Sequence, residues 1–153
     1  MSVPASYRAP WDLAALLAES PFLAGLGLRF VHLGSDGARF ELDPGPGHLN
    51  AEGRLHGGAI ASLLDAACGL PARVVGEGQD LVRAVTVSLS VDYLAAPRGP
   101  RVTATGRLVG GGRTLVFARG EVLDADGTPV AQAIGTFKRL SPARPGQPSE
   151  TAE

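Results

Sequence analysis

His56-Gly57-Gly58 opens what reads as a helix, and a carboxylate, Asp65, follows two turns along it. An amide side chain, Asn50, sits just upstream. The first backbone N–H groups of a helix have no intrahelical partner and carry the positive end of its dipole. They can stabilise a carbonyl oxygen that gains negative charge. A carboxylate can act as a base on water. Together these are the parts that an acyl-transfer or hydrolysis site needs.

The helix that must carry them starts near Gly57. Ile60, Leu63, Leu64, Ala67 and Val74 fall on one face at i, i+3, i+4 spacing. The opposite face holds Gly58, Ala61, Ser62, Asp65, Gly69 and Ala72. A solvated face would carry Lys, Glu and Arg. This one is small throughout, with Asp65 as its one charge, so a second surface must approach it closely. A helix buried on both sides in so short a chain implies a wrapping sheet on one side and a partner subunit on the other. Pro71 removes one hydrogen bond and clashes with the preceding turn. The helix is therefore expected to kink or end near Leu70, with a break at residues 76–79.

Around this helix the chain reads mostly as sheet. Residues 11–18 suit a short helix capped by Asp12, with Leu13, Leu16 and Leu17 at helical spacing and Ser20-Pro21 as its stop. Strands are expected at 26–33 and 38–42, joined by Ser35-Asp36-Gly37. Residues 43–53 are a Pro/Gly-rich loop. Val85, Val87, Leu89, Val91 and Tyr93 alternate with Thr86, Ser88, Ser90 and Asp92. Three more strands are expected at 101–109, 114–123 and 129–140, with turns at Gly110-Gly111-Gly112 and Asp124-Ala125-Asp126-Gly127. One long helix on a mostly antiparallel sheet is an α+β arrangement. Residues 1–20 form an N-terminal extension, 21–140 the domain, and 141–153, rich in proline, a disordered tail.

The composition narrows the function classes. A chain of 153 residues favours one domain. Hydrophobic residues at 44% and charged residues at 19% give a packed core, not a disordered chain. A net charge of −1 argues against nucleic acid as a partner. The single cysteine, Cys68, allows no intrachain disulfide and fits a reducing compartment. No apolar run suits a signal peptide or a membrane span, so a cytoplasmic protein without a membrane partner is expected. The three histidines lack ligand spacing, and no metal or cofactor is expected. Cys68 has no evident base beside it and reads as a buried small residue.

The pattern resembles the hotdog-fold acyl-CoA thioesterases, in particular the phenylacetyl-CoA thioesterase-like branch. The residues that carry the resemblance are Asn50, Gly53, His56-Gly57-Gly58, Leu64-Asp65, Ala67, Tyr93 and Pro97, then Gly112-Arg113-Thr114 and 126–137. It spans roughly residues 21–139. The resemblance implies a long central helix wrapped by a curved antiparallel sheet. It also implies a homodimer with the site at the subunit interface, and often a homotetramer.

By the same resemblance, the reaction is hydrolysis of an acyl-CoA thioester to free acid and coenzyme A. Asp65 activates water or attacks the carbonyl across the interface. The Gly57 N–H holds the thioester oxygen. Asn50 and His56 position water or carbonyl, and Thr86 stands where the family has a Ser or Thr beside the carboxylate. Gly58, Ser62 and Leu64 are expected at the substrate, and Arg113 with Thr114 at the nucleotide. Arg98, Arg101, Lys138 and Arg139 are further candidates for its phosphates. A hydratase or dehydratase on the same fold and a non-catalytic acyl-CoA binder are the alternatives.

Overall fold

Seventeen residues, Gly57–Arg73, form the long helix that the apolar spacing requires, and a six-stranded antiparallel sheet curves around it. The computed structural model describes residues 15, 17, 20–75 and 80–140. The short helix expected at 11–18, the break at 76–79 and the tail at 141–153 lie wholly or largely outside the described residues. Of the first, Ala15 and Leu17 are helical.

In chain order the elements are α1 (Pro21–Gly25), β1 (Arg29–Gly34), β2 (Gly37–Leu42), a 3-10 turn (Pro46–His48), α2 (Gly57–Arg73), β3 (Val74–Val75), β4 (Asp80–Leu81), β5 (Ala84–Tyr93), β6 (Val102–Gly111), β7 (Leu115–Asp124) and β8 (Pro129–Arg139). The main sheet runs β1-β2-β6-β7-β8-β5, so β1 and β5 are its edges. β3 and β4 pair as a separate small hairpin, which the apolar pattern did not signal. This is the α+β hotdog arrangement expected from the resemblance.

Two local readings change. Ser20-Pro21 reads as a helix stop, yet it starts α1. The Ser20 hydroxyl caps Leu23 N–H, and Pro21 occupies the first turn, where its missing N–H costs nothing. β1 therefore opens at Arg29, not near Leu26, which ends α1. Pro71 does not end α2 near Leu70, because it sits in the last turn and the helix runs on to Arg73. The Arg139 side chain ties that end down, donating to the carbonyls of Ala72 at 2.7 Å and Val74 at 2.9 Å. These are the carbonyls a helix end leaves open.

The core lies between α2 and the sheet. Leu63, Leu64, Ala67 and Cys68 are wholly buried, against Leu42, Val102, Ala104, Val122 and Phe137 among others. Two glycines let the helix come down onto β6 and β7. A Cβ on Gly106 would stand 2.2 Å from the Ala67 carbonyl oxygen, and one on Gly120 would stand 2.7 Å from the Cys68 sulfur. Among the described residues, no helix is long and apolar enough to cross a membrane.

β5 does not keep the strict alternation of its sequence. Thr86 stands opposite Phe137, but Ser88 stands opposite Thr136 and Leu89 opposite Gly135. Val87 is thus an extra residue, a bulge that shifts the phase of the strand. Residues directly opposite share a face. Before the bulge Ala84 and Thr86 turn toward α2, and after it Leu89, Val91 and Tyr93 do.

Candidate active site

The bulge sets Thr86 against the helical carboxylate. Thr86 Oγ1 donates a hydrogen bond of 2.7 Å to Asp65 Oδ1. Two clefts meet at Asp65. The deeper, of about 280 Å3, runs under α1 between α2 and the sheet, with Leu23, Phe30, Phe40, Leu70 and Phe137 among its walls. The rings of Phe30 and Phe40 stack with centroids 5.0 Å apart. The second cleft opens between α1, α2 and β5, past Phe22, Leu23, Ala61, Ser62 and Leu89. Within one chain, therefore, part of the small face of α2 is met by α1 and β5.

The other group of candidate residues gathers at the N-terminus of α2. His56 is its N-cap, and its Nδ1 accepts the Gly58 N–H at 2.8 Å. That bond leaves the ring proton on Nε2. A Cβ on Gly58 would fall 2.9 Å from His56 Nδ1, so glycine is what lets the ring fold over the first turn. Asn50 Oδ1 accepts the N–H groups of Glu52 at 3.1 Å and Arg54 at 2.9 Å, which closes the loop before the helix. Its Nδ2 has no hydrogen-bond partner among the described residues, nor does His56 Nε2 or the Gly57 N–H. Tyr93 from β5 closes the group. Its hydroxyl donates to the Gly57 carbonyl at 3.1 Å.

The site is thus divided by chemistry. Donors collect at the helix N-terminus: the Gly57 N–H, His56 Nε2–H and Asn50 Nδ2. The acceptor, Asp65, stands eight residues further on, about 12 Å along the helix axis. Such an arrangement suits an oxyanion at one end and a base at the other.

The remaining expected residues fall elsewhere. Leu64 is wholly buried and packs the core, so it presents nothing to either cleft. Ser62 lines the second cleft, but its hydroxyl donates to the Gly58 carbonyl one turn back. Arg113 and Thr114 lie in the β6–β7 hairpin, exposed, and line neither cleft. Arg101 is paired with Asp43 at 2.6 Å, and Arg139 caps α2, so both already have structural work. Arg101 holds the Asp43 carboxyl down to about 2. Cys68 is inert: burial, with the Asp65 charge added, pushes its thiol up to about 12. His48 is structural. Its Nδ1 accepts the Gly45 N–H and its Nε2 bonds the Leu26 carbonyl, each at 2.8 Å. The buried Asp124 accepts three backbone N–H groups, the closest from Thr128, which lower its pKa and fasten the bend after β5 to the β7–β8 turn.

Sequence reasoning missed the Tyr93 contact and the walls of the deeper cleft. Tyr93 carries a signal only in its polar tip on an apolar strand face. Phe30, Phe40 and Leu70 are apolar residues of expected elements, and nothing in the sequence marks them as walls of a cleft.

Comparison with known proteins shows the family. Residues 52–131 match the family model of the thioesterase superfamily. The medium/long-chain acyl-CoA thioesterase YigI of Salmonella typhimurium is 35% identical over 130 residues, covering 76% of this chain and 84% of that protein. A mutant of the phenylacetic acid degradation protein PaaI of Thermus thermophilus superposes with a TM-score of 0.70 at 32% identity, over 79% of this chain and 100% of its own. A Bacillus halodurans protein solved with CoA superposes with a TM-score of 0.59 at 32% identity, over 66% and 70% of the two chains.

Proposed function

The chain belongs to the thioesterase superfamily, and from that premise we propose that it hydrolyses an acyl-CoA thioester at a site completed by a second copy of itself. The names of its relatives support the substrate: YigI is a medium/long-chain acyl-CoA thioesterase, and the Bacillus halodurans neighbour was solved with CoA.

The observation that carries the reading is the separation of Gly57 and Asp65 on one helix. A donor to the developing oxyanion lies about 3 Å from the carbonyl oxygen, and the base lies about 3 Å from a water that itself stands against the carbonyl carbon, so the two must bracket one thioester. Some 12 Å of helix keeps the two apart in one chain. Two copies related by a two-fold axis bring the Gly57 of one to the Asp65 of the other, and produce two such sites.

In that site Thr86 holds one oxygen of Asp65, which leaves the other for water. Asp65 takes a proton as the water oxygen attacks the thioester carbon. The carbonyl oxygen becomes an oxyanion that receives the Gly57 N–H at the positive end of α2. His56 Nε2–H and Asn50 Nδ2 are the neighbouring donors, each held by its other end in the loop. When the tetrahedral intermediate collapses, the carbon–sulfur bond breaks and Asp65 returns its proton to the departing thiolate. The deeper cleft beside Asp65 takes the acyl tail, and its aromatic and aliphatic walls select an apolar one.

Thiol release from a panel of acyl-CoAs, with wild type and Asp65→Ala side by side, tests this. Release by wild type that collapses in the folded mutant is expected. No release from any substrate would sink the reading.

A further inference from the structure

Two adjacent glycines open α2, and glycine is the residue with the most backbone freedom to lose. Neither Gly57 nor Gly58 has a side chain with which to hold its own turn. Two aromatic rings do this instead. The His56 imidazole occupies the space where a Gly58 side chain would be. The Tyr93 ring stands against Gly57, with its Cε1 3.4 Å from the position of a Cβ there.

The bonds made by these rings form one chain. Tyr93 Oη–H donates to the carbonyl oxygen of Gly57 at 3.1 Å. That carbonyl and the Gly58 N–H belong to the same peptide group. The Gly58 N–H in turn donates to His56 Nδ1 at 2.8 Å. A donor on the oxygen of a peptide polarises the whole group and strengthens what its N–H donates. The stronger that second bond, the more firmly the imidazole proton stays on Nε2.

The core has little use for Tyr93. Leu89 and Val91, on the same face of β5, pack against it, whereas Tyr93 is 55% exposed. The residue is spent on the helix terminus. Resting on the thioesterase reading for its consequence, we propose that Tyr93 is a positioning residue: through the Gly57–Gly58 peptide it locks the first turn of α2 and the Nε2–H form of His56. β5 then serves the site twice, holding the base through Thr86 and the donors through Tyr93.

Tyr93→Phe in the full chain removes the hydroxyl and keeps the ring. Two readouts are needed. The first is steady-state hydrolysis: kcat should fall about tenfold with KM unmoved and the protein still folded, because the donors loosen while binding does not depend on the hydroxyl. The second is the 15N shifts of the His56 ring, which separate its two nitrogens by protonation without reference to activity. In wild type Nδ1 should be bare and Nε2 protonated; in Tyr93→Phe the two shifts should move toward each other. His48 is the internal reference, since both its nitrogens are held by backbone groups. Unmoved His56 shifts overturn the proposal, and so does an unchanged kcat. A wild-type protein that hydrolyses no thioester would remove the functional reading instead, and the His56 shifts would still decide whether Tyr93 locks the turn.

Discussion

Thr86 reaches Asp65 because β5 is bulged one residue further on. Without the extra residue at Val87, the register that seats Leu89 opposite Gly135 and Val91 opposite Ala133 would turn Thr86 to the far face of the sheet. A one-residue slip reverses every side chain of a strand. The bulge lets one strand place a hydroxyl at the carboxylate and still pack its apolar half on the core.

The first prediction concerns that hydroxyl. Thr86→Ala should lower kcat about 100-fold, since Asp65 loses the donor that orients it. Thr86→Ser keeps the donor and should keep most of the rate. Both should unfold at the wild-type temperature, because Thr86 is exposed and outside the core. Equal loss in both variants would show that the methyl group, not the hydrogen bond, matters.

The second concerns the oxyanion donor. Gly57 is the first helical residue, and His56 before it is extended at φ −64°, ψ 136°. Both positions suit a proline at 57, which removes the N–H and sets its ring in van der Waals contact with Tyr93, where a Cβ stands 3.4 Å from Cε1. Gly57→Pro should fold and lose about 100- to 1000-fold in kcat.

A third prediction follows from the shared site. Asp65→Ala and Gly57→Pro, each inactive alone, are mixed one to one, unfolded and refolded together. Half the dimers are then hybrids, and each hybrid has one site free of both changes. Activity should return to about a quarter of wild type. A mixture as inactive as its parts would show that no site pairs the Gly57 of one copy with the Asp65 of the other.

Much of this was legible in the residues. The periodicity of α2 and the alternation in β5 followed from spacing that one buried face imposes, and the later strands from the turns that separate them. The N-terminus of α2 was legible because His-Gly-Gly leaves donors uncovered, and Asp65 because a lone charge on a small face is unusual. The bulge was not, since Val87 continues an unbroken apolar alternation and only pairing with β8 reveals the extra residue. Tyr93 has no role that spacing reveals, because its contact with Gly57 crosses 36 residues of chain. Ser20-Pro21 is ambiguous by nature: the same pair can end one helix and cap the next.

The acyl cleft gives a fourth prediction. Gly69 lies in its wall, and a Cβ there would stand 3.3 Å from Phe137 Cε1. A larger side chain must turn into the cleft. Gly69→Leu should reduce kcat/KM for long or aryl acyl-CoAs about 10-fold or more, and for acetyl-CoA much less. Leucine also favours helix over glycine by about 0.8 kcal/mol, so folding should hold. A uniform loss across acyl groups would place the tail elsewhere.

The last prediction tests whether the close approach of α2 to the sheet matters to the site. At Gly106 an added methyl meets a backbone oxygen, that of Ala67, at 2.2 Å, and a backbone atom cannot swing aside as a side chain does. The helix must lift from β6. Gly106→Ala should therefore cost about 3 kcal/mol of stability by denaturant unfolding. Gly112→Ala, where a Cβ would meet nothing within 4 Å, should cost less than about 0.5 kcal/mol. Asp65 lies two residues before Ala67 on the lifted helix, while Thr86 stays on β5, so their 2.7 Å bond should open. At temperatures where Gly106→Ala is still fully folded, kcat should already have fallen, and in Gly112→Ala it should not. If Gly106→Ala kept wild-type kcat at the reduced stability, the helix would be absorbing the methyl without moving its carboxylate.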